Sequence, residues 1–382
     1  MDPFRSVYIA FDPHPSFKGA STHITEFSNI LSRDYFPMLL LTLKGTEEPV
    51  RNEFIYQECF TSASTNMLER ALSFSKWVKN TLAQHRSLVL AHFRDIWGGM
   101  AVLDHPHLMS VYEVNALPSI ELPYRYPMLA DDTLAKIRRL ENYCLSQSML
   151  IVTPSHTTSS CLQSRGVPAS KLNVVPNGAH VPLRHPRRTD LPDSYFVYVG
   201  ALQPWQGLPD LFRALRYLDD VPLPLVICCG HAQHLAKPLQ AFADQLGVTN
   251  KIMWLYECTR DEVDQVLQHA LFSVAPLTEC SRNVEQGCAP LKVIESMANG
   301  TPVIASRVPP ILEIMTHQVD GILCRPGRPA DLARNIRLAF EDPKGTASLG
   351  VAAKHRIDSQ FTWKRSGDLL RASYESIATL SY

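Results

Sequence analysis

Short apolar runs alternate with stretches of helical periodicity along most of this chain, the pattern of parallel sheets whose strands are joined by helices. In the first half, VYIAFD (7–12), PMLLLTL (37–43), SLVLAHF (87–93), LMSVYEV (108–114), MLIVTP (149–154) and KLNVVP (171–176) predict strands. Helices are predicted near 20–32, 66–84, 97–104, 132–147 and 155–165. The segment HVPLRHPRRTDLPDS (180–194) then breaks the pattern: it is rich in proline and charge, has no period, and reads as a linker over 181–194. A second series follows, with strands predicted at YFVYVG (195–200), PLVICC (224–229), KIMWL (251–255), LFSVAP (271–276), TPVIAS (301–306) and GILCR (321–325), each leading into a helix. The expected fold class is α/β, with two doubly wound, Rossmann-like domains, 1–180 and 195–360, facing a cleft.

Composition narrows the functions available. With 382 residues, 45% apolar and 19% charged, the chain is long enough for two cores. Lysine plus arginine equals aspartate plus glutamate at 37 each, so no bulk charge favours nucleic acid, and a charged ligand must be caught locally. The nine cysteines lie in apolar runs without a CxxC pair or zinc-site spacing, as expected of reduced buried thiols, and no metal site is expected. No run approaches the length of a membrane span. These features point to a cytoplasmic protein. The basic set Arg125, Lys136, Arg138 and Arg139 leaves room for peripheral contact at the inner face of a membrane, against the alternative of a solvated helix face.

In doubly wound sheets ligands bind beyond the carboxyl ends of the strands. Four loops there carry the candidate chemistry. In DPHPSFKGASTHITEF (12–27), Lys18, Gly19 and Ala20 open a helix, where backbone amides can approach an anion; an ordinary turn is the alternative. In VVPNGAHVP (174–182), Asn-Gly predicts a tight turn with positive dihedrals. In YVGALQPWQGLPDLFRAL (198–215), Gly200 ends a strand, and the Lys-Ser or Lys-Thr of a nucleotide-hydrolysing loop is missing. The fourth, GCAPLKVIESMANGTPVIAS (287–306), predicts a short helix with Pro290 at its first position, an Asn299-Gly300 stop, and a buried strand. Lys292 falls in its first turn, where the helix dipole disfavours a cation, and Glu295 lies one turn on. An anion docked on the amides of Ala289, Leu291 and Lys292 would make that placement tolerable. A Lys292–Glu295 pair on a solvated face is the alternative.

The succession VVPNG, YVGALQPWQGLPDLFRAL, PLVICCG, APLKVIESMANGTPVIAS, PPILEIM and VDGILCRPG resembles the C-terminal half of glycosyltransferase family 4, retaining sugar transferases of GT-B fold. The resemblance spans about residues 145 to 380 and is strongest over 271–330. It implies a nucleotide-sugar donor, with Glu295 on the ribose hydroxyls and Pro290, Leu291 and Lys292 on the diphosphate. Leu255, Tyr256 and Glu257 would cradle the base, and Lys18, Gly19 and Ala20 would approach from the first, acceptor-binding domain. FTWKRSGDLLRASYESI (361–377) resembles the family's closing helix, which returns to that first domain.

Three departures stand out. The pattern G-R-x-x-x-x-K-G after the first strand of the second half is lost to Ala201 and Gln206, and the position eight before Glu295 is Gly287 rather than glutamate. A histidine usual near the donor sugar is replaced by Asn115. Lys292 and Arg282, with Lys18 or Arg94, are the expected substitutes for the missing cations. His92, Asn115 and Glu113 are candidates for holding sugar or acceptor, against the alternative of satisfied groups at strand ends. The expected activity is transfer of a hexose, most simply from a UDP-linked donor, to a glycan or lipid-linked acceptor in polysaccharide biosynthesis, with no metal or other cofactor. The alternatives are an inactive nucleotide-sugar-binding homologue and a sugar-nucleotide epimerase.

Overall fold

A computed structural model describes residues 3–378. The chain divides into two compact units, one of Met1–Pro176 with Ser366–Tyr382 and the other of Asn177–Arg365.

The first unit runs β1 (Ser6–His14), α1 (Gly19–Asp34), β2 (Met38–Lys44), β3 (Ile55–Phe60), α2 (Met67–Gln84), β4 (Leu90–Phe93), α3 (Ile96–Val102), β5 (Met109–Glu113), α4 (Pro118–Arg125), α5 (Asp131–Gln147), β6 (Leu150–Thr153), α6 (His156–Ser164) and β7 (Leu172–Val174). Its strands form one sheet in the order β3-β2-β1-β4-β5-β6-β7, every pairing parallel. Helices cover both faces of such a sheet, so its central strands are apolar throughout: Met38 to Leu43 are buried without a break. Ile9, Leu41, Phe93, Tyr112 and Ile151 lie at the centre of one core.

The second unit runs β8 (Phe196–Val199), α7 (Leu208–Leu215), β9 (Leu225–Cys228), α8 (Lys237–Gln245), β10 (Ile252–Leu255), α9 (Arg260–His269), β11 (Ser273–Ala275), α10 (Leu291–Ala298), β12 (Val303–Ser306), α11 (Pro309–Leu312), β13 (Ile322–Cys324), α12 (Pro329–Glu341) and α13 (Pro343–Gln360). The last helix, α14 (Trp363–Ala378), begins in this unit and belongs to the first from Ser366 on. The six strands order as β10-β9-β8-β11-β12-β13, again all parallel. Strand order reverses between β8 and β11, so the loops leaving these two strands diverge and open a crevice at their carboxyl ends.

All six predicted strands of the second unit are present within one or two residues, and so are the six predicted in the first except that β4 starts three residues later than expected. Three elements were not anticipated, α13, a second helix after β13, among them. β3, IYQECF, is an edge strand whose Gln57 is buried and polar: its Nε2 donates to the His14 carbonyl at 2.8 Å and to Thr42 Oγ1 at 2.7 Å. Helix α4 holds two prolines, Pro118 at its start and Pro123 inside, and proline signals a break rather than a helix. Among the described residues no helix is long and apolar enough to cross a membrane. Arg125 lies 3.7 Å from Glu121, while Lys136, Arg138 and Arg139 are exposed on α5.

Candidate functional site

Helix α10 is short for local reasons and fixed for tertiary ones. Pro290 is its cap, one residue before the first helical position expected for it, and Gly300 (φ 73°) ends it in the left-handed region. Val293, Ile294, Met297 and Ala298 are buried against Val303, Ala305, Ile311 and Ile357, which seats the helix on the sheet. Its first turn carries no acidic residue and its cap no side-chain hydrogen bond, so the helix dipole is uncompensated at that end.

Lys292 does not turn to Glu295; the expected alternative of an i,i+3 pair is not formed. Its Nζ donates instead to Gln206 Oε1 at 2.5 Å and to the Tyr198 hydroxyl at 3.0 Å, and lies 4.1 Å from the centre of the Tyr198 ring. The Tyr198 hydroxyl donates to the Ala201 carbonyl at 2.6 Å, leaving a lone pair for the lysine. Gly200 makes this path possible. It sits at φ 134°, and a Cβ there would meet Lys292 Cε and Nζ at 3.0 Å. Burial drives the Lys292 ammonium down to about 7, Cys288 works in the opposite sense, and the nearby Arg282 guanidinium depresses it further. The Arg282 guanidinium itself lies over the Trp205 ring at 5.2 Å. Two cations thus converge on a helix start at the β8/β11 switch point, which is the electrostatic description of an anion site.

Glu295, one turn further along α10, is half-buried, and no described residue gives its carboxylate a hydrogen bond or an ion pair within 4.0 Å. Burial pushes its pKa upward; Arg260 at the start of α9 pulls it down, Asp264 adds to the rise and His180 opposes it. A carboxylate left this way is costly unless a ligand supplies donors. Beside α9 lies the loop after β10. Tyr256 stacks on Trp254 with centroids 6.0 Å apart and planes 7° from parallel, and its hydroxyl accepts from Gln240 Nε2 at 2.7 Å. Glu257 follows at φ 51°, and Leu255 is half-buried.

Two asparagines lock the loops around the head of α10. Asn283 Nδ2 donates to the Trp205 carbonyl at 2.9 Å and the Thr278 carbonyl at 2.8 Å, tying the loop after β8 to the loop after β11. Asn177 Nδ2 donates to the Ala289 carbonyl at 2.7 Å, two residues before the helix. The Asn177-Gly178 pair is therefore not the positive-dihedral turn expected from sequence. Gly178 has no positive φ; it is glycine because the backbone at Thr362 and Trp363 passes where a Cβ would stand, 2.3 Å from the Trp363 nitrogen. Gly287, by contrast, has φ 79° and ψ −179°, a region open to glycine and closed to the glutamate found there in the resembling family.

In the first unit the predicted residues have a different environment. Glu113, only 1% exposed, is the hub of a buried network: its Oε2 accepts from the Tyr8 hydroxyl at 2.7 Å and meets His92 Nε2 at 2.9 Å. Its Oε1 lies 2.8 Å from His23 Nε2 and 3.2 Å from Arg94, and accepts from Asn115 Nδ2. Burial would raise the Glu113 pKa, but His23 and Arg94 hold it well below the usual carboxylate range. His92 is fully buried and its Nδ1 meets the Tyr374 hydroxyl at 2.7 Å, so both ring nitrogens are engaged. His92 has both ring nitrogens paired within the unit, the alternative of a satisfied group at a strand end, and Arg94, also 3.7 Å from Asp12, is ion-paired there and not a free cation. Asn115 is half-buried at the rim of the network. Lys18 caps α1, and Lys18 and Gly19 are exposed with Ala20 half-buried. These three belong to the first unit, whereas Lys292, Glu295, Arg282, Gly200, Tyr256, Pro290 and Leu291 belong to the second.

Nothing in the sequence singled out Tyr198 or Asn283, Asn177 stood out only as half of a turn pair, and Gln206 only as a lost cation. Each acts through a contact across 78 to 112 residues of chain, for which local sequence carries no signal.

Comparison with known proteins divides along the same boundary. The family model for glycosyltransferase family 4 matches residues 17–181, and that for glycosyl transferases group 1 matches residues 183–356. A D-inositol 3-phosphate glycosyltransferase of Jonesia denitrificans is 32% identical over 186 residues, covering 47% of this chain and 42% of that protein. One of Salinispora arenicola is 31% identical over 204 residues, covering 50% and 44%. The matched stretch spans less than half of either relative's length. Among solved structures, sucrose-phosphate synthase of Thermosynechococcus elongatus superposes with a TM-score of 0.81 at 17% identity, over 98% of this chain and 100% of the other. HepE of Anabaena, in complex with UDP and glucose, does so with a TM-score of 0.74 at 19% identity, over 97% and 100%. The fold is of the GT-B type.

Proposed function

The chain belongs to glycosyltransferase family 4, and from that premise we propose that it moves a hexose from a nucleotide-diphosphate sugar to a hydroxyl of a glycan or lipid-linked acceptor, with retention at the anomeric carbon. The observation that carries this reading is the head of α10, where the Lys292 ammonium, a helix start without negative charge, and an unpaired Glu295 carboxylate lie within one turn. A diphosphate on the first two and ribose hydroxyls on the third would satisfy all of them together. The stacked Tyr256 and the positive-φ Glu257 would receive the base. The Anabaena complex with UDP and glucose supports uridine as that base and glucose as the hexose.

Breaking the anomeric bond puts negative charge on the departing phosphate. Lys292, Arg282 and the amides of Leu291 and Lys292 would stabilise that charge from fixed positions, which is where most of the rate would come from. The leaving phosphate would then take the acceptor's proton, so no protein base is needed on this path. Asn115 and the exposed Lys18 remain the first unit's candidates for sugar or acceptor contact.

Incubation with radiolabelled UDP-glucose or GDP-mannose and a lipid-linked acceptor extract tests this reading. Incorporated label supports it. Binding without turnover would instead indicate an inactive homologue, and a released 2-epimer an epimerase.

A further inference from the structure

An ammonium has only donors, so the side chain facing Lys292 Nζ at 2.5 Å must present an oxygen, and Gln206 does so with its amide carbonyl. The loop that carries it is rigid. The Gln206 amide donates to the Gln203 carbonyl at 3.0 Å, and the neighbouring Trp205 carbonyl accepts from the Thr278 amide at 3.1 Å and from Asn283 Nδ2 at 2.9 Å. Gln206 and the Tyr198 hydroxyl take two of the three ammonium hydrogens, and among the described residues no third acceptor is present. One N–H is thereby left for a ligand.

We propose that Gln206 is a positioning residue for the donor site: its carbonyl fixes the Lys292 side chain at the head of α10, so that the remaining N–H of the ammonium is aimed at a diphosphate. The proposal deepens the donor reading above and rests on it for the identity of the ligand, but the Gln206–Lys292 linkage can be tested without any ligand. A carbonyl that accepts from an ammonium favours the charged form, so its removal lowers the lysine's proton affinity and a carboxylate in its place raises it.

The experiment uses the full chain as parent, Gln206→Leu, Gln206→Glu, Lys292→Met and the double variant Gln206→Leu with Lys292→Met. Acetylation of Lys292 is followed against pH by mass spectrometry, and UDP affinity by calorimetry. The acetylation midpoint is expected to move down in Gln206→Leu and up in Gln206→Glu. UDP is expected to bind Gln206→Leu about tenfold more weakly, ~1.4 kcal/mol, with the double variant no weaker than Lys292→Met alone. A midpoint unmoved in both Gln206 variants, or additive losses in the double variant, overturns the proposal. If the parent binds no UDP, the donor reading falls, while the acetylation midpoints still decide whether Gln206 governs Lys292. The Gln206→Glu variant keeps the test open should Gln206→Leu fail to fold.

Discussion

Lys292→Met keeps an unbranched side chain of similar length on α10 and removes a cation that the fold holds partly out of water. The pKa of that lysine falls from 10.5 to about 7 because burial strips its hydration. At ~1.36 kcal/mol per pKa unit, the charged side chain destabilises the folded chain by an amount on the order of 5 kcal/mol below its folded pKa. Water still reaches the half-buried side chain, so the net gain expected from the substitution is smaller, about 1–3 kcal/mol near pH 6. The gain depends on pH in a defined direction. Below about pH 7 both folded and unfolded chains carry the proton, and the full penalty applies. Between there and ~10.4 the folded chain has lost it and the unfolded chain has not, so the penalty declines as pH rises; above both values it is gone. Urea denaturation of parent and variant at several pH values between about 6 and 10 measures the difference directly. A variant no more stable than the parent near pH 6, or one whose advantage fails to shrink toward high pH, refutes the idea that α10 holds a desolvated ammonium. The same variant is expected to bind UDP at least tenfold more weakly, the trade of stability for function found where a site keeps an uncompensated charge.

Binding of UDP to the parent at about pH 8 should take up close to one proton, because a diphosphate returns Lys292 to its charged form; calorimetry in buffers of different ionisation heat counts it, and zero uptake contradicts the assignment. Glu295→Gln should leave stability unchanged or slightly raised, since burial already disfavours the carboxylate, while weakening UDP by about 1.5–3 kcal/mol through loss of charge-assisted bonds to the ribose. A titration matching the parent's would remove Glu295 from the site. Gly200→Ala forces a Cβ against Lys292 at 3.0 Å and a side chain into φ 134°, at a cost of about 1–3 kcal/mol in thermal or urea unfolding, together with weaker UDP binding. Glu113→Ala leaves Arg94 buried without its closest carboxylate and should destabilise the chain by about 3–5 kcal/mol; a loss under about 1 kcal/mol would mean the network is not held by Glu113.

Local sequence determined the twelve predicted strands and their alternation with helices through hydrophobic periodicity, and the short helix with Lys292 and Glu295 near its start through Pro290 and Asn299-Gly300, because each is a property of consecutive residues. It failed at β3, where a buried glutamine is satisfied by groups from two other elements, and at α4, where prolines mimic a break. Tertiary structure decided the rest. Whether Lys292 pairs with Glu295 three residues away or with Tyr198 and Gln206 some ninety residues back depends on the β8/β11 neighbourhood, and strand order is not written in any local window. Sequence left open whether His92 is available or satisfied and offered Arg94 as a cation; β1, β5, α1 and α14 close around Glu113 and engage both. Gly178 looked like a turn glycine, yet its lack of a side chain answers to a backbone segment 184 residues further on. Residue type announces what a group can do; its available partners, set by long-range packing and desolvation, decide what it does.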